Sequence, residues 1–375
     1  MDKKLRPIIK WTGGKYDEFA LFANHIPKFD RYIEPFFGGG GVFFALQPSG
    51  NSFINDKSTD LINFYKQIGN KQFEIEIFNY ANAWSELGNL HINLWDNAAG
   101  KYADYINGLI DANHLHEFIS TLLYAYLKQD LLITDESFII DRNLFEKTLL
   151  ASIADKARRI KRICEKEVRI FDANELKDHF ETGIRSGAYL FFRLLLNKNY
   201  TNEISLNTPK AAANWYFVRE FCYGSMFRFN AKGEFNIPYG GIAYNKKNFR
   251  QKAENIFDSA ITTLFKHTKV FNLDFEDFLK KIDLKENDFI FLDPPYDSEF
   301  SEYDQSAFTQ TDQERLSNFL IQTNCKWMVV IKETPFIKKI YTHPTVKMMY
   351  FDKNYTYNVR GRNNRGVTHL IITNY

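Results

Sequence analysis

The chain has 375 residues, of which 45% are hydrophobic and 17% are aromatic. That length is sufficient for two or three domains with cores of their own. Lysine and arginine together number 48, and aspartate and glutamate 46, so the formal net charge is only +2. The charge therefore gives no general argument for binding a polyanion, and any surface for nucleic acid must be local.

The cysteines and the lengths of the apolar runs indicate in which cellular compartment the protein acts. Cys164, Cys222 and Cys325 are far apart and form no CxxC pattern, so neither a disulfide framework nor a structural metal is expected. Residues 1–10 contain no apolar run of signal-peptide length, and no stretch of about eighteen apolar residues occurs without a charge. We expect a soluble intracellular protein with no membrane partner.

The first sixty residues have the pattern of an α/β unit. They predict a loop at Lys10–Lys15, a helix at Tyr16–His25, a strand at Tyr32–Ile33, a glycine cluster followed by a second helix, and a strand at Ser52–Ile54.

Beyond this unit the pattern changes twice. From about Leu61 to Glu181 glycines are sparse and apolar residues recur at spacings of three and four, which predicts a helical insertion. Four short apolar runs then indicate central strands of a largely parallel sheet: Lys269–Leu273, Asp288–Leu292, Lys326–Ile331 and Thr368–Thr373.

The most specific string is Asp293-Pro294-Pro295-Tyr296, directly after the run Asp288–Leu292. Ligands of open α/β sheets bind outside the carboxyl ends of the strands. A carboxylate and a backbone carbonyl that precedes a proline can each accept one N–H of an exocyclic amino group, while a tyrosine ring can stack on the base. The alternative is an ordinary strand-ending turn, because Asp-Pro and Pro-Pro are common in loops.

A glycine cluster, Glu34 to Gly41, follows the first predicted strand. Glycines at a strand-to-helix turn let the backbone approach a nucleoside cofactor closely. Phe43 stands where the GxGxxG fingerprint requires its third small residue, so a plain flexible turn is an equal alternative. Asp56, which ends the next strand, is suited to accept ribose hydroxyls, although solvated loops also carry such carboxylates.

The segment Lys10–Lys15 reads Lys-Trp-Thr-Gly-Gly-Lys. It lacks the first glycine of a P-loop, and Tyr16 replaces the required serine or threonine. An ATPase is therefore disfavoured.

Five motifs occur in a fixed order: Lys10–Lys15, Glu34–Gly40, Asn55-Asp56, Asp274-Phe275 and Asp293–Tyr296. In that order they resemble the Dam-like, alpha-class family of S-adenosylmethionine-dependent DNA adenine N6-methyltransferases. The resemblance covers about residues 5–65 and 185–375. The helical stretch at about 70–180 is longer than this family leads us to expect.

The resemblance implies an α/β fold with a Rossmann-like methyltransferase core, a mostly parallel sheet and an inserted, mainly helical target-recognition domain. The catalytic, cofactor-binding domain would comprise 1–65 and 265–375. The insertion with the target-recognition region would comprise 66–264, with a hairpin near 226–241.

The resemblance also implies S-adenosylmethionine as cofactor, no metal, and a set of site residues. Asp56 would hold the ribose, Asp274 and Phe275 the adenine ring, and Asp293 would lie between methyl donor and target base. Trp11 as a core residue and Asp274 as a helix N-cap are the alternatives. The implied catalytic residues are Asp293, Pro294, Pro295 and Tyr296, and the cofactor-binding residues are Trp11, Lys15, Glu34, Phe36, Gly38, Gly40, Asp56, Asp274, Phe275 and Asp293.

The segment 226–240 is similar to the DNA-reading hairpin of the family. Arg and Lys suit guanine, Asn suits adenine, and an exposed Phe can wedge between base steps. Lys232-Gly233-Glu234 is the predicted turn, and an ordinary surface hairpin is the alternative. The expected DNA contacts are Lys10, Arg228, Phe229, Asn230, Lys232 and Asn236.

The sequence thus predicts a site-specific adenine N6-methyltransferase that acts on an adenine flipped out of double-stranded DNA. An N4-cytosine or RNA adenine methyltransferase stays open, because the same acceptors suit any exocyclic amino group. A non-catalytic DNA-binding subunit is the alternative from another class. The expected compartment is the cytoplasm of a bacterial or phage-infected cell, and a restriction endonuclease counterpart is left open.

Overall fold

The structure is a computed structural model that describes residues 4–129, 131–295, 308–354 and 366–375. The chain divides into two compact units. The first comprises Met1–Gly69 and Asp258–Tyr375, and the second comprises Asn70–Phe257. The catalytic and target-recognition roles expected for the corresponding parts of the sequence stay predictions.

A sheet forms the centre of the first unit, and within the described residues it has seven strands in the order β3-β2-β1-β4-β5-β7-β6. Strands β1 to β5 form the parallel part of the sheet, whereas β7 is antiparallel to both β5 and β6. The predicted α/β fold with a mostly parallel sheet is therefore confirmed. The strands are β1 (Arg31–Glu34), β2 (Ser52–Asn55), β3 (Thr268–Phe271), β4 (Asp288–Leu292), β5 (Lys326–Lys332), β6 (Lys347–Asn354) and β7 (Gly366–Thr373).

The far edge of the sheet differs from the prediction. The run Thr368–Thr373 is not a parallel strand, because it lies in antiparallel β7. Leu370 and Ile372 are fully buried there, which explains why the run has the composition of a central strand. Strand β6 was not predicted. It lies at the edge of the sheet and mixes polar with apolar residues, and Tyr350 is 58% exposed.

The α-helices within the described residues are, in chain order, α1 (Phe19–Phe22), α2 (Gly41–Leu46), α3 (Thr59–Lys66), α4 (Lys71–Ile106), α5 (Ala112–Tyr126), α6 (Glu136–Ile139), α7 (Arg142–Glu167), α8 (Ala173–Tyr200), α9 (Thr208–Phe221), α10 (Phe249–Ile256), α11 (Ser259–Lys266), α12 (Phe275–Lys281), α13 (Gln310–Gln322) and α14 (Pro335–Ile340). The predicted helix Tyr16–His25 is shorter than expected. Phe22 has φ −128° and ends α1, and a 3₁₀ turn follows at Ala23–His25.

Strand β4 is buried along its whole length, because helices cover both faces of the parallel part of the sheet. On one face Ile290 and Leu292 pack in a cluster with Trp327 of β5 and Leu316 of α13. Phe291 stacks on Phe22, with ring centroids 5.7 Å apart. This core holds the ends of the strands in fixed positions.

The second unit is mainly helical and contains residues 70–181 of the stretch that the sequence predicts as helical, whereas residues 61–69 belong to the first unit. Helices α7 and α8 approach closely where α8 carries Gly187. A Cβ there would lie 2.6 Å from Cα of Leu149, so only glycine fits. A cluster of aromatic rings, including Tyr80 and Phe217 at 5.2 Å, fills the core of this unit.

Candidate active site

Three carboxyl groups follow three adjacent parallel strands. Glu34 is the last residue of β1, Asp56 comes directly after β2 and Asp293 directly after β4. Strand β1 lies between β2 and β4 and is parallel to both. The three groups therefore lie at one edge of the sheet, which is the edge where open α/β sheets bind ligands.

Lys15 joins the N-terminal loop to the Asp-Pro-Pro segment. Its Nζ lies 2.8 Å from Oδ1 of Asp293, and the two side chains are 2% and 18% exposed. Nζ also donates a hydrogen bond of 3.1 Å to the carbonyl oxygen of Gly13. A buried ammonium group needs such acceptors because it has lost its water. The ion pair orients the Asp293 carboxylate at the end of β4.

Glu34 is buried beside these charges. The hydroxyl of Tyr32 donates a 2.8 Å hydrogen bond to its Oε2. Burial raises the pKa of Glu34 well above its ordinary value, the Tyr32 hydrogen bond opposes this, and the nearby Asp293 and Asp56 raise the pKa further. The site thus favours a neutral carboxyl group at the end of β1.

Asp56 binds the backbone around it. Its Oδ2 accepts a hydrogen bond from N of Gly38, and its Oδ1 accepts one from N of Ser58, both at 2.8 Å. Burial raises the pKa of Asp56, while these two N–H groups act in the opposite direction. Asp56 therefore fastens the glycine cluster to the end of β2, and its expected role toward ribose stays a prediction.

The glycine cluster is shaped by the N-terminal loop. Gly38 and Gly40 have φ of +51° and +67°, which favours glycine. A Cβ on Gly38 would lie 2.8 Å from Cδ1 of Trp11, and one on Gly41 would lie 2.7 Å from N of Tyr16. Packing of the N-terminal loop thus restricts Gly38 and Gly41, whereas a Cβ on Gly40 would lie 2.6 Å from Cζ of Phe37. The expected contacts of Gly38 and Gly40 with a cofactor stay predictions. Trp11 is half-buried against Gly38, and both its expected role in the cofactor site and its core alternative stay predictions.

Asp274 and Phe275 lie shortly after β3, the neighbour of β2 in the sheet, at the start of α12. Asp274 is the N-cap of that helix, as the alternative reading of the sequence expects, and its Oδ1 accepts a 3.0 Å hydrogen bond from N of Glu276. Arg315 of α13 donates to the same Oδ1 at 2.8 Å, and its guanidinium lies 4.9 Å from the Phe275 ring centre. Phe36 packs on Phe275 at 5.5 Å.

The Asp-Pro-Pro segment is described as far as Pro295, and Tyr296 lies outside the described residues. Pro294 is buried and Pro295 is exposed. The carbonyl oxygen of Pro295 accepts a 2.9 Å hydrogen bond from Nε2 of Gln313. Gln313 and Arg315 were not predicted as site residues, because nothing in the composition of α13 marks them.

The predicted DNA-contacting residues of the second unit lie around a short turn. Phe229 and Phe235 form an isolated bridge, so the predicted two-stranded ribbon is short here. N of Gly233 donates to O of Asn230 at 2.9 Å, which places the turn at 230–233, earlier than predicted, because the Asn230 side chain closes it.

The polar atoms of Asn230 are engaged in that turn. Its Oδ1 accepts from N of Lys232 and N of Glu234, and its Nδ2 donates to Oε2 of Glu234 at 2.9 Å. Arg228, Lys232 and Asn236 are exposed. In the first unit, Lys10 is exposed as well. Their contacts with DNA stay predictions.

Phe229 is 40% exposed. Its ring packs against Phe227 at 5.5 Å and against Tyr200 at 5.8 Å. The protein thus covers part of the ring and leaves the rest exposed. This packing is compatible both with an ordinary surface hairpin and with a ring that wedges between base steps.

Among the residues that the structure describes, no group of three or more His, Cys, Asp or Glu side chains could hold a metal ion. None of the helices in these ranges is long and apolar enough to cross a membrane.

A family model described as D12 class N6 adenine-specific DNA methyltransferase matches residues 11–134 and 140–357. The chain belongs to this family. It is therefore an adenine-specific DNA methyltransferase, and its reaction needs a methyl donor. The match includes the carboxyl groups of β1, β2 and β4 as well as the helical second unit.

Similar proteins support this assignment, and two of them are matched over their whole length. The chain is 26% identical to the Type II methyltransferase M.CviBI of Paramecium bursaria Chlorella virus NC1A, over 99% of this chain and 100% of that protein. It is 25% identical to the Type II methyltransferase M.MjaIII of Methanocaldococcus jannaschii, with the same coverage. It is 29% identical to the Retron Ec67 DNA adenine methylase of Escherichia coli, over 45% of this chain and 57% of that protein.

Proposed function

We propose that S-adenosylmethionine is the methyl donor and that its methyl group is transferred to N6 of an adenine held by the Asp-Pro-Pro segment. The observation that carries the proposal is the Lys15–Asp293 ion pair of 2.8 Å at the carboxyl end of β4. Glu34 and Asp56 end the neighbouring strands at the same edge, so acceptors for two ligands converge there.

The residues at this edge fit a nucleoside donor with a cationic sulfur. Each oxygen of Asp56 accepts one backbone N–H, and a carboxylate oxygen can accept two hydrogen bonds, so both can also take a ribose hydroxyl. Phe36 and Phe275 supply apolar rings next to Asp274. Lys15 is committed to Asp293, which makes a phosphate group unsuitable. When bound, S-adenosylmethionine supplies an electrophilic methyl group.

The Asp-Pro-Pro segment would bind the amino group of the target. The carboxylate of Asp293 and the carbonyl of Pro294 each accept one N–H, and Pro295 has no N–H of its own to compete. Fixed acceptors draw the nitrogen lone pair out of conjugation and toward the methyl group, so they stabilise the transition state more than the ground state. Tyr296 would stack on the adenine.

The adenine must leave the duplex to reach these acceptors. For DNA binding we propose Lys10 in the first unit and Arg228, Phe229, Lys232 and Asn236 in the second. Asn230 would act by holding the turn that presents Lys232, since its amide is already hydrogen bonded within that turn.

The relatives named Type II methyltransferases and Modification methylase StsI, from Streptococcus sanguinis, support a role in restriction and modification. We infer that the chain methylates a specific word in double-stranded DNA as the counterpart of a restriction endonuclease. The expected place of action is the cytoplasm of a bacterial or phage-infected cell.

The test is transfer of labelled methyl groups from S-adenosylmethionine to defined duplexes and RNAs, followed by nucleoside analysis. Label in N6-methyladenine of duplex DNA is expected. Label in N4-methylcytosine or in RNA would replace the proposed acceptor. Absence of both label and calorimetric cofactor binding would indicate a non-catalytic subunit. Asp293→Ala should abolish transfer, whereas Asp277→Ala, at an exposed position of α12, is the matched control.

A further inference from the structure

Gln313 lies on the first turn of α13, and its side chain is fully buried. Its Nε2 donates a 2.9 Å hydrogen bond to the carbonyl oxygen of Pro295. The amide orientation follows from this contact, because the reversed amide would bring two acceptors together. The bond therefore fixes the peptide plane that ends the described part of the Asp-Pro-Pro segment.

In the described part of the chain, the other polar atom of the same amide has no equivalent contact. Oε1 of Gln313 is buried and has no hydrogen-bond partner among the described residues. A buried acceptor without a donor lowers stability. An apolar side chain of similar size would bury the same surface without that penalty. Packing alone thus gives no reason for glutamine at this position.

The start of α13 is anchored well enough to hold Gln313 in place. Thr309 and Asp312 form a capping box, and N of Gln313 donates to O of Thr309 at 3.0 Å. Asp312 also accepts a 2.8 Å hydrogen bond from Arg315, the residue that binds Asp274. The same helical turn is therefore bonded to α12 on one side and to the Asp-Pro-Pro segment on the other.

We propose that Gln313 is a positioning residue for methyl transfer. It occupies the carbonyl of Pro295 and holds the segment so that the Asp293 carboxylate and the Pro294 carbonyl face the target amino group. This inference rests on the proposed function of that segment. Because its side chain is fully buried, Gln313 would act through the segment and not by direct contact with substrate or donor.

The test compares Gln313→Met and Gln313→Leu with the full-length wild-type enzyme. Both variants remove the donor to Pro295 and the oxygen that has no partner within the described residues. Single-turnover methyl transfer to duplex DNA should slow about tenfold, because small displacements of reacting groups cost rate steeply. The dissociation constant for S-adenosylmethionine should stay the same. The thermal midpoint should change little, because the lost hydrogen bond to Pro295 and the removed buried oxygen act in opposite directions. Gln322→Met, at an exposed position near the end of α13, is the matched control.

The outcomes separate this inference from the function on which it rests. A slower reaction with unchanged donor affinity and undiminished stability in either variant supports positioning. Wild-type rates in both variants, or losses of rate that match losses of stability, would overturn it. If Asp293→Ala retained the wild-type rate in the same assay, the proposed function of the segment would fail instead.

Discussion

Replacing Lys15 with methionine tests the central contact of the site. Methionine keeps most of the apolar stem of lysine but removes the ammonium group that lies 2.8 Å from Asp293. Asp293 is then left beside Glu34 and Asp56 without this counter-charge. We expect both lower stability and slower methyl transfer, because the same contact supports the fold and orients the carboxylate.

The magnitude follows from the burial of the two side chains. Removing one partner of a buried ion pair typically costs about 3–5 kcal/mol, since an uncompensated charge remains. Lys15 is 2% exposed, but Asp293 is 18% exposed and can recover some hydration. We therefore expect a loss of about 3 kcal/mol, at the lower end of that range.

Urea unfolding at neutral pH measures the loss directly. A double-mutant cycle with Asp293→Asn isolates the pairwise part, and the combined variant should lose less than the sum of the two single losses. Lys66→Met, at an exposed position of α3, is the control. Wild-type stability and wild-type transfer rate in Lys15→Met would refute the reasoning.

Three further predictions concern neighbouring groups. Burial raises the pKa of Glu34 well above 4.5, so its contribution to stability is present at low pH and falls as the pH rises through the folded-state pKa. The free energy of unfolding of Glu34→Gln, relative to that of the wild type, should therefore be higher at pH 8 than at pH 5. The same pH dependence in both proteins would contradict this. Arg315 holds Asp274, so Arg315→Met should weaken S-adenosylmethionine binding if Asp274 contacts the donor. The effect should be only about two- to fivefold by calorimetry, since the ion pairs of Arg315 are partly exposed. Unchanged affinity would argue that Asp274 is not part of the donor site. Arg228→Ala should cost about 1–3 kcal/mol on the preferred DNA word and relax one position, whereas equal slowing on every sequence would indicate a phosphate contact.

The central strands and the functional residues that follow them could be predicted, because central parallel strands are short apolar runs that end in polar residues. Asp288–Leu292 with Asp293 is the clearest case, and it is the buried strand β4 in the structure. Strand β6 escaped prediction because an exposed edge strand needs no continuous apolar run. Antiparallel β7 is buried on both sides and cannot be told from a parallel strand by composition.

The contacts within the site were less predictable. Lys15 and Asp293 are distant in sequence, and no periodicity relates them. The glycine cluster suited both a flexible turn and a cofactor loop, and neither interpretation indicated that a Cβ on Gly38 or Gly41 would meet Trp11 or Tyr16. Gln313 binds the Asp-Pro-Pro segment through one hydrogen bond, and Arg315 binds Asp274, Glu276 and Asp312. Contacts between elements that are distant in sequence leave no pattern in one sequence.

Base-resolution mapping of N6-methyladenine tests the central claim most directly. Duplex DNA from cells that express the wild-type chain should carry N6-methyladenine at one recurring sequence, and DNA from cells that express Asp293→Ala at equal protein level should carry none. Methylation that persists at the same sites with Asp293→Ala would contradict the assignment of the Asp-Pro-Pro segment as the centre of methyl transfer.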